Sequence, residues 1–229
     1  MLNDAIRHSI EEAQLSEQEP RPLHFRMFGL QFVLLRDVFS PLHFGSTEFL
    51  TAALPVPTGS RFLDMGCGAG VTSVVVAKRG AAQVVGIDIS RFAARNAMEN
   101  ALLNGCADKV SIVVGDLFST LDEGTKFDVI FWNSNFVRAP EGYPQDRWWE
   151  RALLDPGYAT HRQFLETAPR YLSSGGRLLL GFSDLGDAGW LRDKCEELRY
   201  QPKILVEKSG IEGPGTSFQL IDLGIGSKR

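Results

Sequence analysis

The stretch RFLDMGCGAG, from Arg61 to Gly70, decides how the rest of the chain folds. Its first half, with Phe62 and Leu63, reads as a buried strand, and VTSVVVAKRG follows at once as a packed helix. Between them stand three glycines at alternate positions, Gly66, Gly68 and Gly70. Glycine lets the main chain turn sharply and lets a ligand come close to the backbone, and the free N–H groups of a helix start hold a carboxylate or phosphate. Such a loop marks a nucleotide-type site, or, without a ligand, a tight strand-to-helix turn.

Outward from this unit the same alternation repeats. QVVGIDIS is a second strand, RFAARNAMENALLNG a helix, VSIVVGDL a third strand and FDVIFWN a fourth. A loop-rich segment from Ser134 to Pro156 leads to a helix around Thr160 to Tyr171, and GRLLLGFS gives a fifth strand. A helix from Leu185 to Leu198 then precedes KILVEKS and SFQLIDLGI, strands six and seven. Strands joined by helical crossovers make a parallel sheet, whereas GIEGPG between the last two suits a reversal between antiparallel neighbours. The spacing therefore predicts an α/β fold: a Rossmann-like seven-stranded sheet, mostly parallel with the last strand antiparallel, and helices on both faces.

Ahead of the sheet, Leu2, Ala5, Ile6, Ile10 and Ala13 fall at helical spacing over residues 2 to 17, and Pro20 and Pro22 end that helix. Its apolar stripe covers the protein's own core or, alternatively, serves as a lid or a dimer contact. MFGLQFVLLRDV, from Met27 to Val38, reads as a small hairpin turning at Gly29. Ser46 to Leu54 reads as a helix with Ser46 as its N-cap and Pro55 as its stop.

The composition sets limits on function. With 229 residues and 44% hydrophobic content the chain buries one large core. A formal charge of −4 makes nucleic acid an unlikely partner, since broad phosphate binding needs excess positive charge. Cys67, Cys106 and Cys195 are too scattered for a disulfide framework or a zinc site, so no metal is expected, and they suit a reducing cytoplasm. Asp4, Glu11 and Glu12 stand where a signal peptide would be apolar, and no apolar run approaches the ~20 residues needed to cross a bilayer.

Three successive strand ends each carry one part of an adenosine site. Asp64 opens the glycine loop. Asp88, followed by Ile89, ends the second strand, where a carboxylate accepts from both hydroxyls of a ribose; it is equally placed to cap the next helix. Asp116 ends the third strand, placed to accept from an adenine amine while Leu117 and Phe118 cover the ring.

FLDMGCGAG, VVGIDIS, VVGDLF and FDVIFWN together resemble the successive motifs of class I S-adenosylmethionine-dependent methyltransferases, over roughly residues 27 to 225. The resemblance implies S-adenosylmethionine as cofactor, a lead-in segment over 1–54 and a methyltransferase domain over 55–229. It implies that Asp64, Gly66, Cys67, Gly68 and Gly70 hold the methionine part, Asp88 and Ile89 the ribose, and Asp116 and Leu117 the adenine, with Asn133 also beside the cofactor. Within the family the chain is similar to the group of release-factor glutamine and ribosomal RNA guanine N-methyltransferases, through FGLQF, DVFSP and Ser46-Thr47-Glu48. That group follows its fourth strand with Asn-Pro-Pro-Tyr, whereas this chain has Asn133-Ser134-Asn135-Phe136. The first Asn and the final aromatic remain, the prolines do not, and only about two dozen residues precede the hairpin, too few for a helical partner-recognition domain.

Methyl transfer needs alignment more than acid–base power. Asn133 is expected to orient the nucleophile, with Phe136 as its apolar wall. His161, Asp155 or His43 is expected to take the released proton. Phe39, His43, Trp148, Trp149 and Tyr158 are expected to bind the acceptor, one tryptophan forming a wall and the other anchoring the loop. Arg138 and Arg147 are candidates for an acceptor carboxylate. The function expected is N-methylation of a small molecule or peptide by a monomer or homodimer. O-methylation, a nicotinamide-dependent oxidoreductase and an inactive cofactor-binding protein are the alternatives.

Overall fold

The computed structural model describes residues 4–211 and 216–225. The chain starts with helix α1 (Asp4–Gln18) and a hairpin of β1 (Leu23–Met27) and β2 (Leu30–Leu34), followed by helix α2 (Ser46–Ala53). The central unit then runs β3 (Arg61–Met65), α3 (Val71–Lys78), β4 (Gln83–Asp88), α4 (Arg91–Leu103), β5 (Val110–Val114) and β6 (Phe127–Asn133). Next come β7 (Val137–Ala139), α5 (Trp148–Leu153), β8 (Leu154–Pro156) and α6 (Ala159–Thr167). β9 (Leu172–Ser183), α7 (Ala188–Glu197), β10 (Lys203–Ser209) and β11 (Ser217–Asp222) complete the fold.

Seven strands form one sheet in the order β10-β11-β9-β6-β3-β4-β5. β11 lies antiparallel between β9 and β10, while β9, β6, β3, β4 and β5 are mutually parallel. The sheet and its inserted reversed strand are as the spacing predicts, although residues 212–215 of the expected reversal lie outside the described residues, as does Leu2 of the expected N-terminal helix. Side chains along the central strands alternate between two cores. Leu63, Ile130, Trp132, Leu178 and Leu180 join α6 and α7 on one face, while Phe62, Val129, Phe131 and Leu179 join α3 and the hairpin on the other. A strand buried on both sides reads as a continuous apolar run, which is the pattern of FDVIFW and LLLGF.

Three local features differ from expectation. The hairpin begins at Leu23, four residues earlier than the alternation suggests, because Leu23 to Met27 pair with Leu34 to Leu30. Gly45, not Ser46, is the N-cap of α2, and Ser46 is buried in the first turn. The loop-rich segment after β6 contains a short parallel pair, β7 with β8, and the helix α5. No helix among the described residues is long and apolar enough to cross a membrane.

Candidate active site

Parallel strands deliver their carboxyl ends to one rim, and the strand order reverses between β3 and β6, which opens a crevice beyond β3. A cavity of about 940 Å³ occupies that crevice. Gly66, Asp88 and Asp116, from three successive strand ends, all line it. So do Asp64, Cys67, Gly68, Ile89, Leu117, Asn133 and Phe136, together with Phe39 and Trp148.

The glycine loop has a separate reason for each glycine. Gly66, Gly68 and Gly70 all have positive φ, at 64°, 54° and 78°. Trp132 lies over Gly66, where a Cβ would stand 3.3 Å from its Nε1, and the space above Gly68 is open to the cleft. Gly70 does not line the cavity; a Cβ there would stand 2.7 Å from Cα of Ala97, so it permits the close approach of α3 and α4.

Asp88 holds this loop closed. Its Oδ2 accepts from the N–H of Gly68 at 2.9 Å and its Oδ1 from the N–H of Ser90 at 2.8 Å. Each carboxylate oxygen has a further lone pair for a ligand hydroxyl. Burial raises the Asp88 carboxyl above the ordinary range against the pull of those two bonds. Asp64 is buried beneath the loop and accepts from Ser73 Oγ at 2.6 Å; burial, with Asp88 nearby, pushes it up to about 7. Burial first, then the two carboxylates, also drives the Cys67 thiol well above its usual range. All three cysteines are buried and unpaired.

At the third strand end Asp116 is exposed beyond β5, and Leu117 is buried at a φ of 46°. Phe118 does not cover a ligand face. It stacks on Phe164 and Tyr171, because the turn at Leu117 sends the next side chain into the core. The apolar surface on this side comes instead from Ile89 and Phe92, which line the cavity while 51% and 43% exposed. A nucleobase would cover them.

The other half of the cleft is walled by the segment after β6. Asn133 pairs in register with Gly181, and Ser134 Oγ donates to the Gly181 carbonyl at 2.8 Å. Among the described residues, neither end of the Asn133 amide has a hydrogen-bond partner. Trp148 lines the cavity, whereas Trp149 is buried in the core, so the two adjacent rings face opposite ways. Glu17, at the end of α1, reaches the same rim and pairs with Arg147 at 3.0 Å.

The expected residues His161, Asp155, Tyr158, His43 and Trp149 lie off the cavity. His161 is fully buried, and its Nδ1 sits 2.6 Å from Oδ2 of Asp155, which also accepts the His161 N–H at 2.8 Å. The same carboxylate accepts from Thr160 N, so Asp155 fixes the start of α6 and is itself fully buried. Tyr158 is fully buried, its hydroxyl donating to the Phe136 carbonyl at 2.6 Å and accepting from Asp187 N at 2.7 Å. His43 bonds Ser40 and faces Glu19, and Trp149 is the core anchor already described. Arg138 pairs with Asp187, as Arg147 does with Glu17, so neither is a free cation at the rim.

One set of residues carried no signal strong enough to single out. Asn96, Asn100 and Asn104 recur every fourth residue along α4 and grip the hairpin: Asn96 and Asn100 bond Val33, Asn96 also takes Leu35 N–H, and Asn104 bonds Gln31. Asn100 additionally donates to the Ala69 carbonyl in the glycine loop. The spacing was visible in NAMENALLN, but polar residues at i, i+4 and i+8 equally describe a solvated helix face.

A cleft at the switch point of a parallel sheet, with a glycine cradle and carboxylates at successive strand ends, is the arrangement in which α/β enzymes hold nucleoside cofactors. A family profile described as a methyltransferase domain matches residues 58–209. The release factor glutamine methyltransferase of Cereibacter sphaeroides is 34% identical over 164 residues, which cover 68% of this chain and 58% of that protein. A putative protein N5-glutamine methyltransferase of Methanocaldococcus jannaschii is 35% identical over 178 residues, 77% of this chain and 87% of that one. The fold is shared with the T. thermophilus 16S rRNA methyltransferase in complex with AdoMet and guanosine, at a TM-score of 0.60, 20% identity, and coverage of 89% of this chain and 50% of that one. The chain belongs to the S-adenosylmethionine-dependent methyltransferases, which sets aside the nicotinamide-dependent reading. It spans somewhat over half the length of the release factor enzyme.

Proposed function

We propose that this chain binds S-adenosylmethionine in the cleft and methylates the nitrogen of a planar amide carried by a peptide. The cradle suits the cofactor: open space above Gly68, two carboxylates beneath a cationic amino acid and sulfonium, and exposed Ile89 and Phe92 for a base. The bound cofactor supplies an electrophilic methyl group; the protein aligns the acceptor, keeps water out and accommodates one proton.

The observation that carries the reading is Asn133. It stands at the end of β6 on the cleft wall with its amide unpaired, and a side-chain carbonyl there is suited to hold an acceptor N–H. Phe136, buried beside it, offers a flat apolar wall. The names of the two relatives, both glutamine methyltransferases, support an amide on a peptide or protein.

The test is transfer of labelled methyl to peptides, read by the mass gain of one methyl group. Wild type is expected to methylate a side-chain amide, and Asn133→Ala to abolish turnover with cofactor affinity unchanged. Turnover surviving in Asn133→Ala removes that residue's assigned role. Labelling confined to a hydroxyl, or no transfer to any acceptor, removes the reading itself.

A further inference from the structure

Five buried side-chain polar atoms have no hydrogen-bond partner among the described residues: Ser60 Oγ, Asn135 Oδ1, Trp148 Nε1, Trp149 Nε1 and His161 Nε2. Four of them fall between Asn135 and His161, in or beside the segment that walls the acceptor half of the cleft. Buried polar atoms in folded proteins are nearly always paired, so a concentration in one segment needs a physical account. Trp149 and His161 do not line the cavity, whereas Asn135 and Trp148 do.

The orientation of the Asn135 amide follows from its other end. Nδ2 donates to the carbonyls of Leu154 at 2.9 Å and Arg151 at 3.2 Å, so a flip would set an oxygen against two oxygens. Oδ1 is therefore the unpaired atom, and it only accepts, while an indole N–H only donates. One unmet acceptor and one unmet donor on the same wall form the complement of a carboxamide, which has an N–H to give and a carbonyl to receive.

We propose that Asn135 and Trp148 are the specificity pair for the acceptor, with Trp148 Nε1 donating to the carbonyl oxygen of the acceptor amide and Asn135 Oδ1 accepting one of its N–H groups. The inference rests on the amide reading above and assigns it two further residues. A carboxylate of the same shape is rejected, because it has no N–H and turns its lone pairs on Oδ1. Both atoms are shut from water. An entering amide therefore reaches them only with a local shift of this wall, where α5 is held by Glu17 to Arg147 and by Asn135 Nδ2 to the Arg151 carbonyl.

The probe is capped glutamine, N-acetylglutamine methylamide, titrated calorimetrically into the full chain loaded with S-adenosylhomocysteine, with capped glutamate as its isostere. Wild type is expected to bind the amide and not the acid. Trp148→Phe keeps an aromatic face while removing the donor and part of the ring area, and it leaves in place the ties to Arg151 and Leu154 that Asn135→Leu cuts, so it is the decisive variant. Trp148→Phe is expected to weaken capped glutamine roughly tenfold, in dissociation constant and in KM, with S-adenosylhomocysteine affinity unchanged. Asn135→Leu is expected to narrow the preference for amide over acid. Equal amide binding by wild type and Trp148→Phe overturns the pair while leaving the amide reading standing. A wild type that ignores capped glutamine yet methylates another acceptor overturns both.

Discussion

The side-chain amide of Asn100 donates to the main-chain carbonyl of Ala69 at 2.8 Å while its oxygen accepts the N–H of Val33 at 2.8 Å. One buried residue on α4 thus couples the N-terminal hairpin to the glycine loop. Asn100→Ala leaves a carbonyl and an amide unpaired, which costs about 2–4 kcal/mol. In a chain of this size that corresponds to a fall in Tm of about 5–15 °C. S-adenosylmethionine affinity is expected to drop as well, because the Ala69 turn loses its anchor. Thermal melts with calorimetric titration measure both, and a variant with normal Tm and normal affinity disproves the coupling.

The sheet was legible because its central strands are buried on both faces and read as apolar runs between glycine-rich ends. The convergence of Gly66, Asp88 and Asp116 on one cleft was legible for a related reason: parallel strands bring them to one rim whatever the side chains between them. The opposite side of the cleft was not. Tyr158, His161 and Trp149 have polar tips that suggest a site, yet each turns inward, and a single sequence does not say which way a ring in a loop will face. Phe118 misled in the same way, since the positive φ of Leu117 reverses the direction of the next side chain. The asparagine ladder on α4 stayed hidden because its partners are main-chain atoms of a hairpin more than sixty residues away.

Asp64 is expected to make cofactor binding depend on pH. Burial raises its carboxyl from 3.8 to about 7, so the folded protein holds a proton there that the unfolded chain gives up. Its contribution to stability is complete below about 3.8 and is lost as pH rises through about 7. A cationic cofactor favours the ionised form, so S-adenosylmethionine is expected to bind more tightly as pH rises through 7 and to displace a proton on binding. Calorimetry in two buffers of different ionisation heat counts that proton. Asp64→Asn should abolish the release and the pH slope; a slope that persists in the variant places the titrating group elsewhere.

Tyr158 holds the acceptor wall without touching the cleft. Its hydroxyl joins the Phe136 carbonyl to the Asp187 N–H, and burial foremost pushes its own pKa up to about 12, so it stays a donor throughout the working range. Tyr158→Phe orphans both main-chain groups at a cost of about 2–4 kcal/mol. Phe136 then loses its fixed position, and kcat is expected to fall several-fold or more while cofactor affinity is kept. Equal losses in turnover and cofactor affinity would instead mean a general loosening of the fold.

His161 gives the protein an acid-sensitive core. Its ring lies against Trp132, Tyr158, Phe182 and Trp190, with Nδ1–H on the Asp155 carboxylate and Nε2 bare. Burial lowers its pKa below the ordinary 6.5, outweighing the upward pull of Asp155. Below pH 6.5 the unfolded chain takes up a proton that the folded ring refuses, so this contribution to stability is full above 6.5 and declines as pH falls toward the lowered folded value. Asp64 acts in the opposite direction over part of the same range, so the effect is read as a difference between wild type and His161→Gln in denaturant titrations. That difference is expected to shrink from pH 7 to pH 5. If it stays constant, or if the His161 ring protons titrate at 6.5 or above by NMR, the aromatic cage does not keep the imidazole neutral.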